Sequence, residues 1–279
     1  MESVGSIISV LIDGYSEGFC KRNAGDYVAD YGLLHCGKCK EAKQKYYRGR
    51  LMGRQCKCVR DAVNAKIEEI EKAKERAKVS ALKNASLMTG ILADARFDKC
   101  KRTKFNERNL DICKRYVDKF DELRKANQGL LFWGQVGTGK SYAAACIANE
   151  LIDKGYSVVM TSLVRLIDMS QEEGFDVLMR RMLSCDLVIL DDLGAERNTS
   201  FALEKAYYVI ESRHRQGKPM IITTNLLLED MRNVDDERYA RTYDRVLDVC
   251  YPMQWTGPSW RKAQAKSKFD SFEKTLGLK

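Results

Sequence analysis

The sequence predicts an α/β protein: a parallel sheet of five strands between helices, preceded by a small cysteine-bearing region. Three observations carry this. From residue 110 onward, short apolar runs with β-branched residues alternate with stretches of helical length, as buried parallel strands and their crossovers do. One run-to-helix junction is glycine-rich, Gly134 to Ser141. Four cysteines stand among nine basic residues and one acid, Glu41, within residues 35–60.

Residues 1–34 read as a short helical segment carrying Val10 and Leu11, followed by a glycine-containing turn. Residues 61–84 read as a charged helix, with Glu68 four positions before Lys72. Its apolar stripe (Val63, Ile67, Ile70, Ala77, Ala81) is thin, which suits a spacer or packing helix better than a long coiled coil. Strands are expected at 129–133, 157–161, 186–191 and 219–224, and a last one through Val249–Gln254. Helices are expected near 140–153, 162–183 and 200–216, completing right-handed crossovers. The expected organisation is a basic N-terminal region over 1–84, a connecting segment over 85–109 and the α/β domain over 110–279.

Of the 279 residues, 44% are hydrophobic and 31% charged, enough to build a core. No apolar run approaches a membrane span. An acid stands near the N-terminus, where a signal peptide needs bases, so a cytoplasmic protein is expected. The net charge of +9 is uneven: residues 1–128 hold 28 basic and 18 acidic side chains, and the remainder is close to neutral. Attraction to a polyanion should therefore reside in the first half, with simple solubility as the alternative. Ten cysteines without an export signal argue for metal ligation and buried thiols rather than disulfides.

Gly134-Gln135-Val136-Gly137-Thr138-Gly139-Lys140-Ser141 fits the phosphate-loop pattern, and Tyr142 continues into the helix. Glycines let the backbone curl so that its N–H groups face phosphate oxygens, and the helix N-terminus adds partial positive charge. Lys140 would reach the β- and γ-phosphates of ATP or GTP, and Ser141 would ligate magnesium. About fifty residues on, an apolar strand ends in Asp191-Asp192. Asp191 would hold the magnesium and Asp192 orient the attacking water. The next strand ends in Asn225, placed to meet that water or the γ-phosphate.

Cys36-x2-Cys39 and Cys56-x-Cys58 supply four soft ligands in two close pairs, suited to a structural tetrahedral zinc with no open position for catalysis. His35 and Cys20 are alternative ligands. Between the pairs, Lys43, Lys45, Arg48, Arg50 and Arg54 accompany Tyr46 and Tyr47, a composition that fits single-stranded DNA as well as protein docking. The two tyrosines serve equally well as packing for a small ribbon. The remaining cysteines, Cys100, Cys113, Cys146, Cys185 and Cys250, sit singly in apolar settings and read as buried thiols.

The ordered series WGQVGTGKS, LVILDDLG, IITTN, YDRVLDVC and GPSWRK resembles the AAA+ ATPases of the DnaC/IstB group over roughly 110–265. Within that group it is most similar to the bacterial and phage DnaC-like loaders of the replicative helicase. The resemblance implies an ASCE-type P-loop sheet with little or no helical lid, and assembly into a ring or spiral with ATP between subunits. It matches Lys140 and Ser141 to Walker A, Asp191 and Asp192 to Walker B and Asn225 to sensor 1. It matches Arg245 to an arginine finger acting on a neighbouring subunit, with Arg238 and Arg241 as rivals, and Arg261 to sensor 2. Asp192 stands where many AAA+ proteins carry Glu, which implies slow hydrolysis, and Trp260 stands where an arginine is common.

The function these readings imply is ATP-dependent loading or remodelling of a replicative DNA helicase on single-stranded DNA. ATP, Mg2+ and structural Zn2+ are the expected cofactors, and the zinc-bearing region would recruit the helicase. Two alternatives stay open: a transposition helper that binds duplex DNA and recruits a transposase, and a zinc-dependent nucleic-acid adaptor that uses ATP only as a switch.

Overall fold

A computed structural model describes residues 22–168, 175–194 and 200–278. The chain divides into two compact units, Met1–Arg76 and Ala77–Lys279.

In the first unit two antiparallel hairpins carry the cysteines. Strands β1 (Tyr27–Val28) and β2 (Leu34–His35) pair, as do β3 (Gln44–Tyr47) and β4 (Arg50–Gly53). The helical segment expected over 1–34 lies outside the described residues as far as 21, and beyond that the chain forms the first hairpin instead. Little apolar surface is buried here: Leu34, Cys36 and Cys56 are the buried hydrophobic residues among those described. Polar groups do the tying. Asp26 accepts hydrogen bonds from Asn23 N at 2.8 Å, Gly37 N at 2.9 Å and Lys43 Nζ at 2.6 Å, and Gln44 Oε1 accepts from Leu34 N at 2.9 Å. Lys43 is therefore a buried structural cation and not part of a nucleic-acid surface, a correction to the sequence reading. Arg54 is likewise engaged, by Glu41 at 2.6 Å.

Helix α1 (Lys57–Ala85) starts four residues before the expected helix and has no fully buried residue. Val79 and Leu82, rather than Ala77 and Ala81, pack against the core of the second unit, because the exposed flank of the helix falls on the alanines.

The second unit is a parallel five-stranded sheet in the order β6-β7-β8-β5-β9. Its strands are β5 (Gly129–Gly134), β6 (Val158–Ser162), β7 (Leu187–Leu193), β8 (Met220–Thr224) and β9 (Cys250–Trp255). Each lies within two residues of its expected limits, because a strand covered on both faces reads as an unbroken apolar run. Alternate residues serve the two faces. Leu130, Phe132, Ile189 and Ile221 pack with α4 (Lys140–Asp153), while Leu131, Leu190 and Ile222 pack with α7 (Ser200–Arg215) and α9 (Glu237–Val249). Helices α2 (Glu107–Asp118) and α3 (Phe120–Lys125) precede the sheet. The helical stretch expected near 162–183 corresponds to α5 (Leu163–Asp168) and α6 (Phe175–Ser184) among the described residues. Helix α8 (Leu228–Arg232) is short, and α10 (Trp260–Thr275) follows the last strand.

Strand β8 lies between β5 and β7, so the acids ending β7 are one strand removed from the loop that follows β5. A buried arginine locks the opposite end of the sheet. Arg213, fully buried on α7, donates to the carbonyls of Cys185 and Pro219 at 2.7 Å and of Met182 and Asp186 at 3.2 Å. It satisfies acceptors at the end of α6 and the starts of β7 and β8.

Candidate functional site

The loop from Gly134 to Gly139 turns the chain from β5 into α4, and its shape depends on residues that tolerate positive φ. Gly139 caps the helix at φ 103°, and Gly137, at φ 81°, faces Ser259 so closely that a Cβ would lie 2.2 Å from its hydroxyl. Trp260 N donates to Gly137 O at 2.9 Å, which seats the start of α10 on the loop. Helix α4 can press against the sheet because Ala143, Ala144, Ala145 and Ala148 are nearly or fully buried.

Lys140 Nζ sits at the centre. It donates to Gly134 O, Gln135 O and Asn225 Oδ1, each at 2.8 Å. Thr138 Oγ1 adds a bond to Gln135 O at 2.9 Å. Asn225 reaches the other way through Nδ2 to Asp192 Oδ1 at 3.4 Å. The Ser141 side chain lies near the Asp191 carboxylate and favours its ionised form. Five of the expected residues, Lys140, Ser141, Asp191, Asp192 and Asn225, thus meet from three strand ends. Burial pulls the Lys140 amine down and pushes the Asp191 carboxyl up, with each charge partly supported by the other. The Ser141 hydroxyl and Asp191 carboxylate are an oxygen pair suited to Mg2+.

Thr223 is a site residue that the sequence reading missed. Fully buried on β8, its Oγ1 donates to Asp191 Oδ1 at 2.6 Å and accepts from Asp192 N at 2.9 Å. Thr224 Oγ1 donates to Leu193 O at 2.6 Å. Between Leu190 and Leu193 the β7–β8 register shifts, and Asp192 takes φ 57°, a left-handed conformation rare outside glycine. The two threonines pin this irregularity. Two hydroxyls inside an otherwise apolar strand were the available signal.

A cavity of about 340 Å³ adjoins the loop. Val136, Gly137, Thr138, Gly139, Lys140, Ser141 and Tyr142 line it, together with Asp192, Asn225 and Arg261. Gly134 and Gln135 lend their carbonyls to Lys140 rather than a wall to the cavity. Residues between 91 and 110, notably Ile91, Leu92, Cys100 and Lys101, line it as well, with Trp255 and Trp260. Ala126, Asn127 and Gln128, just before β5, border a different cleft, beside Leu247–Pro252. Cys100 and Cys146 are not isolated thiols as expected, since their sulfurs lie 3.8 Å apart.

The arginines separate. Arg261 lines the cavity, whereas Arg245 lies on α9 with Nε bonded to Glu211 Oε2 at 2.8 Å and Nη1 to Asp244 at 3.1 Å. Arg238 pairs with Asp236 at 2.6 Å and Arg241 with Glu237 at 3.7 Å. None of these three lines the cavity of its own chain.

In the first unit the Sγ atoms of Cys36, Cys39, Cys56 and Cys58 lie within 4.8 Å of one another, with Cys36–Cys58 at 3.5 Å and Cys56–Cys58 at 3.4 Å. A tetrahedron with ~2.3 Å metal–sulfur bonds has edges of about 3.8 Å, so the four fit a zinc ion. Backbone N–H groups of Cys39 and Lys38 pull the Cys36 thiol down, and those of Cys58 and Glu41 bring Cys39 to about 6. Burial raises Cys56, and the neighbouring sulfurs raise Cys58 to about 12. Four such sulfurs cannot all ionise without a cation among them. His35 is otherwise engaged, Nδ1 with Lys40 O at 2.8 Å and Nε2 with the Tyr31 hydroxyl. Cys20 lies outside the described residues.

Among the described residues no helix is long and apolar enough to cross a membrane. The chain is 26% identical over 160 residues to the replicative helicase loader DnaI of Bacillus subtilis, a match covering 52% of this chain and 51% of that protein. It is also 26% identical over 135 residues to the replicative helicase loader DnaC of Escherichia coli, covering 46% and 54% respectively. The chain spans about half the length of the curated relatives it matches. Its fold resembles a crystal structure of DnaI (TM-score 0.53, 21% identity, 62% of this chain and 94% of that one) and one of the DnaC helicase loader (0.51, 22%, 60% and 100%). Residues 67–268, well over half of the sequence, match the family described as IstB-like ATP binding protein, and the chain belongs to that family, with the AAA+ fold its sheet order displays.

Proposed function

We propose that the protein is an ATPase that loads or remodels a replicative DNA helicase on single-stranded DNA. The observation that carries the reading is the convergence of Lys140, Ser141, Asp192 and Asn225 on one cavity, with Asp191 beside them, in a chain similar to two helicase loaders. In this reading Lys140 leaves its carbonyl partners for the β- and γ-phosphates, and the N–H groups of Gly137 to Ser141 face the same oxygens. Mg2+ held by Ser141 and Asp191 would neutralise charge between the phosphates. Asp192 and Asn225 orient the attacking water, and Arg261 receives the charge that develops as the bond to the leaving ADP breaks. Residues 91–110 with Trp260 offer the wall against which the nucleoside rests. Arg245, Arg238 or Arg241 would serve a neighbouring copy in a ring or spiral. The N-terminal unit, with Zn2+ held by Cys36, Cys39, Cys56 and Cys58, would recruit the helicase in the cytoplasm.

The test is ATP turnover by the purified protein alone, with single-stranded DNA, and with the replicative helicase, with complex formation followed in parallel. Lys140→Ala is expected to lower turnover by at least about a hundredfold, as loss of a principal charge at the phosphates should. Unchanged turnover in that variant overturns the reading. Stimulation by duplex DNA without helicase binding would instead favour a transposition helper, which the IstB-like family match keeps in view.

A further inference from the structure

Hairpin β3–β4 carries side chains that the fold of its unit does not use. Tyr46 is 66% exposed and Tyr47 53%, so neither ring packs the ribbon. Successive residues of a strand point to opposite faces, which places one ring on each side of the hairpin. Lys45 Nζ lies 5.9 Å from the Tyr47 ring centroid and the Arg48 guanidinium carbon 5.5 Å. Of the basic residues in this region, Lys43 and Arg54 are committed to Asp26 and Glu41. Lys45, Arg48 and Arg50 remain on the ribbon, and Gln44–Gly53 contains no acid.

The turn adds an independent observation. Arg48 and Gly49 have φ 48° and 76°, the two left-handed residues that a tight two-residue hairpin turn requires. Asn or Gly would occupy the first position with less strain. A long cation is held there at a conformational cost, and strain kept at an exposed tip points to use.

We propose that this hairpin is a binding surface for single-stranded nucleic acid, with Tyr46 and Tyr47 stacking on unpaired bases and Lys45, Arg48 and Arg50 taking the phosphates. An acidic protein face would satisfy the cations, whereas unpaired nucleotides satisfy the cations through their phosphates and both rings through their base faces. A duplex hides the base faces that rings on both sides of a ribbon need. The proposal extends the loader reading without depending on it, because binding is measured with neither nucleotide nor helicase. A wild-type chain without ATP turnover would sink the loader reading and leave this measurement standing.

The experiment uses the full chain and a fluorescein-labelled oligothymidylate, followed by anisotropy across a salt series. Tyr46→Ala with Tyr47→Ala is expected to weaken binding about tenfold or more, while Tyr46→Phe with Tyr47→Phe retains it. Lys45→Ala, Arg48→Gly and Arg50→Ala together should flatten the log–log salt dependence by about 2. The glycine keeps the turn while removing the charge. Circular dichroism and zinc content matching wild type identify folded variants, and the Phe pair supplies a control if the Ala pair does not fold. Wild-type affinity in a folded Ala variant, or in its place an unchanged salt slope in the cation variant, overturns the proposal. So does equal wild-type affinity for a duplex of the same length. A hairpin variant that keeps oligonucleotide affinity but loses the replicative helicase would make the surface a protein-docking site instead.

Discussion

At the scale of single residues, one hydroxyl governs two acids. Thr223 supports the ionised form of Asp191 with a 2.6 Å bond and fixes the backbone of Asp192. Burial already raises the Asp191 carboxyl, and the Thr223 bond works against that rise. Thr223→Val keeps the shape and removes both hydrogen bonds, so the Asp191 pKa should climb further. In the proposed function magnesium binding and turnover need the carboxylate, so activity would fall as pH drops through that pKa. The acid limb of the turnover–pH profile should therefore move to higher pH in Thr223→Val, with a higher Mg2+ concentration at half-saturation and kcat lower by about tenfold, the worth of roughly one charge-assisted hydrogen bond. Thr223→Ser should restore all three. An unmoved acid limb and unmoved Mg2+ dependence in the Val variant would show that Thr223 only packs.

At the scale of elements, legibility follows the distance between partners. The strands were readable because each buried run is a local property, and the loop from Gly134 to Ser141 because its residues are contiguous. Thr223 gains its role only through pairing of β8 with β7, and Lys43 only through Asp26, seventeen positions earlier. A lysine in a basic stretch reads as surface until that partner is known. The cavity wall over 91–110 carries no motif of its own. Arg213 belongs with these hidden residues: on a helical stretch it passes for a solvated cation, yet it joins α6, β7 and β8 through four carbonyls. Arg213→Ala would orphan buried acceptors and open a cavity, so it should destabilise the second unit by about 3 kcal/mol or more. Urea unfolding measures this. A loss below about 1 kcal/mol would mean that water replaces the guanidinium without cost.

At the scale of the whole molecule, the question is whether one chain contains a complete catalytic site. Lys140, Asp191, Asn225 and Arg261 belong to a single copy and meet at or beside one cavity. The three candidate finger arginines lie elsewhere, on α9, each held by acids of its own chain. In the proposed ring or spiral, an arginine in that position would meet the transition state of another copy, and hydrolysis would then depend on assembly. Arg245→Ala should then lower turnover by ~10³-fold or more while leaving ATP binding nearly intact. Mixing it with Lys140→Ala provides the sharper test, since each variant alone lacks one half of every site. In random mixed assemblies, about a quarter of the interfaces would pair an intact Lys140 with an intact Arg245 from the neighbour, so a comparable fraction of wild-type turnover should return. Should Arg245→Ala alone keep wild-type turnover, the same mixing applied to Arg238 and Arg241 would identify the finger. No recovery from any of the three pairs would place the charge-neutralising arginine within the chain, leaving Arg261 as the group that must do that work unaided.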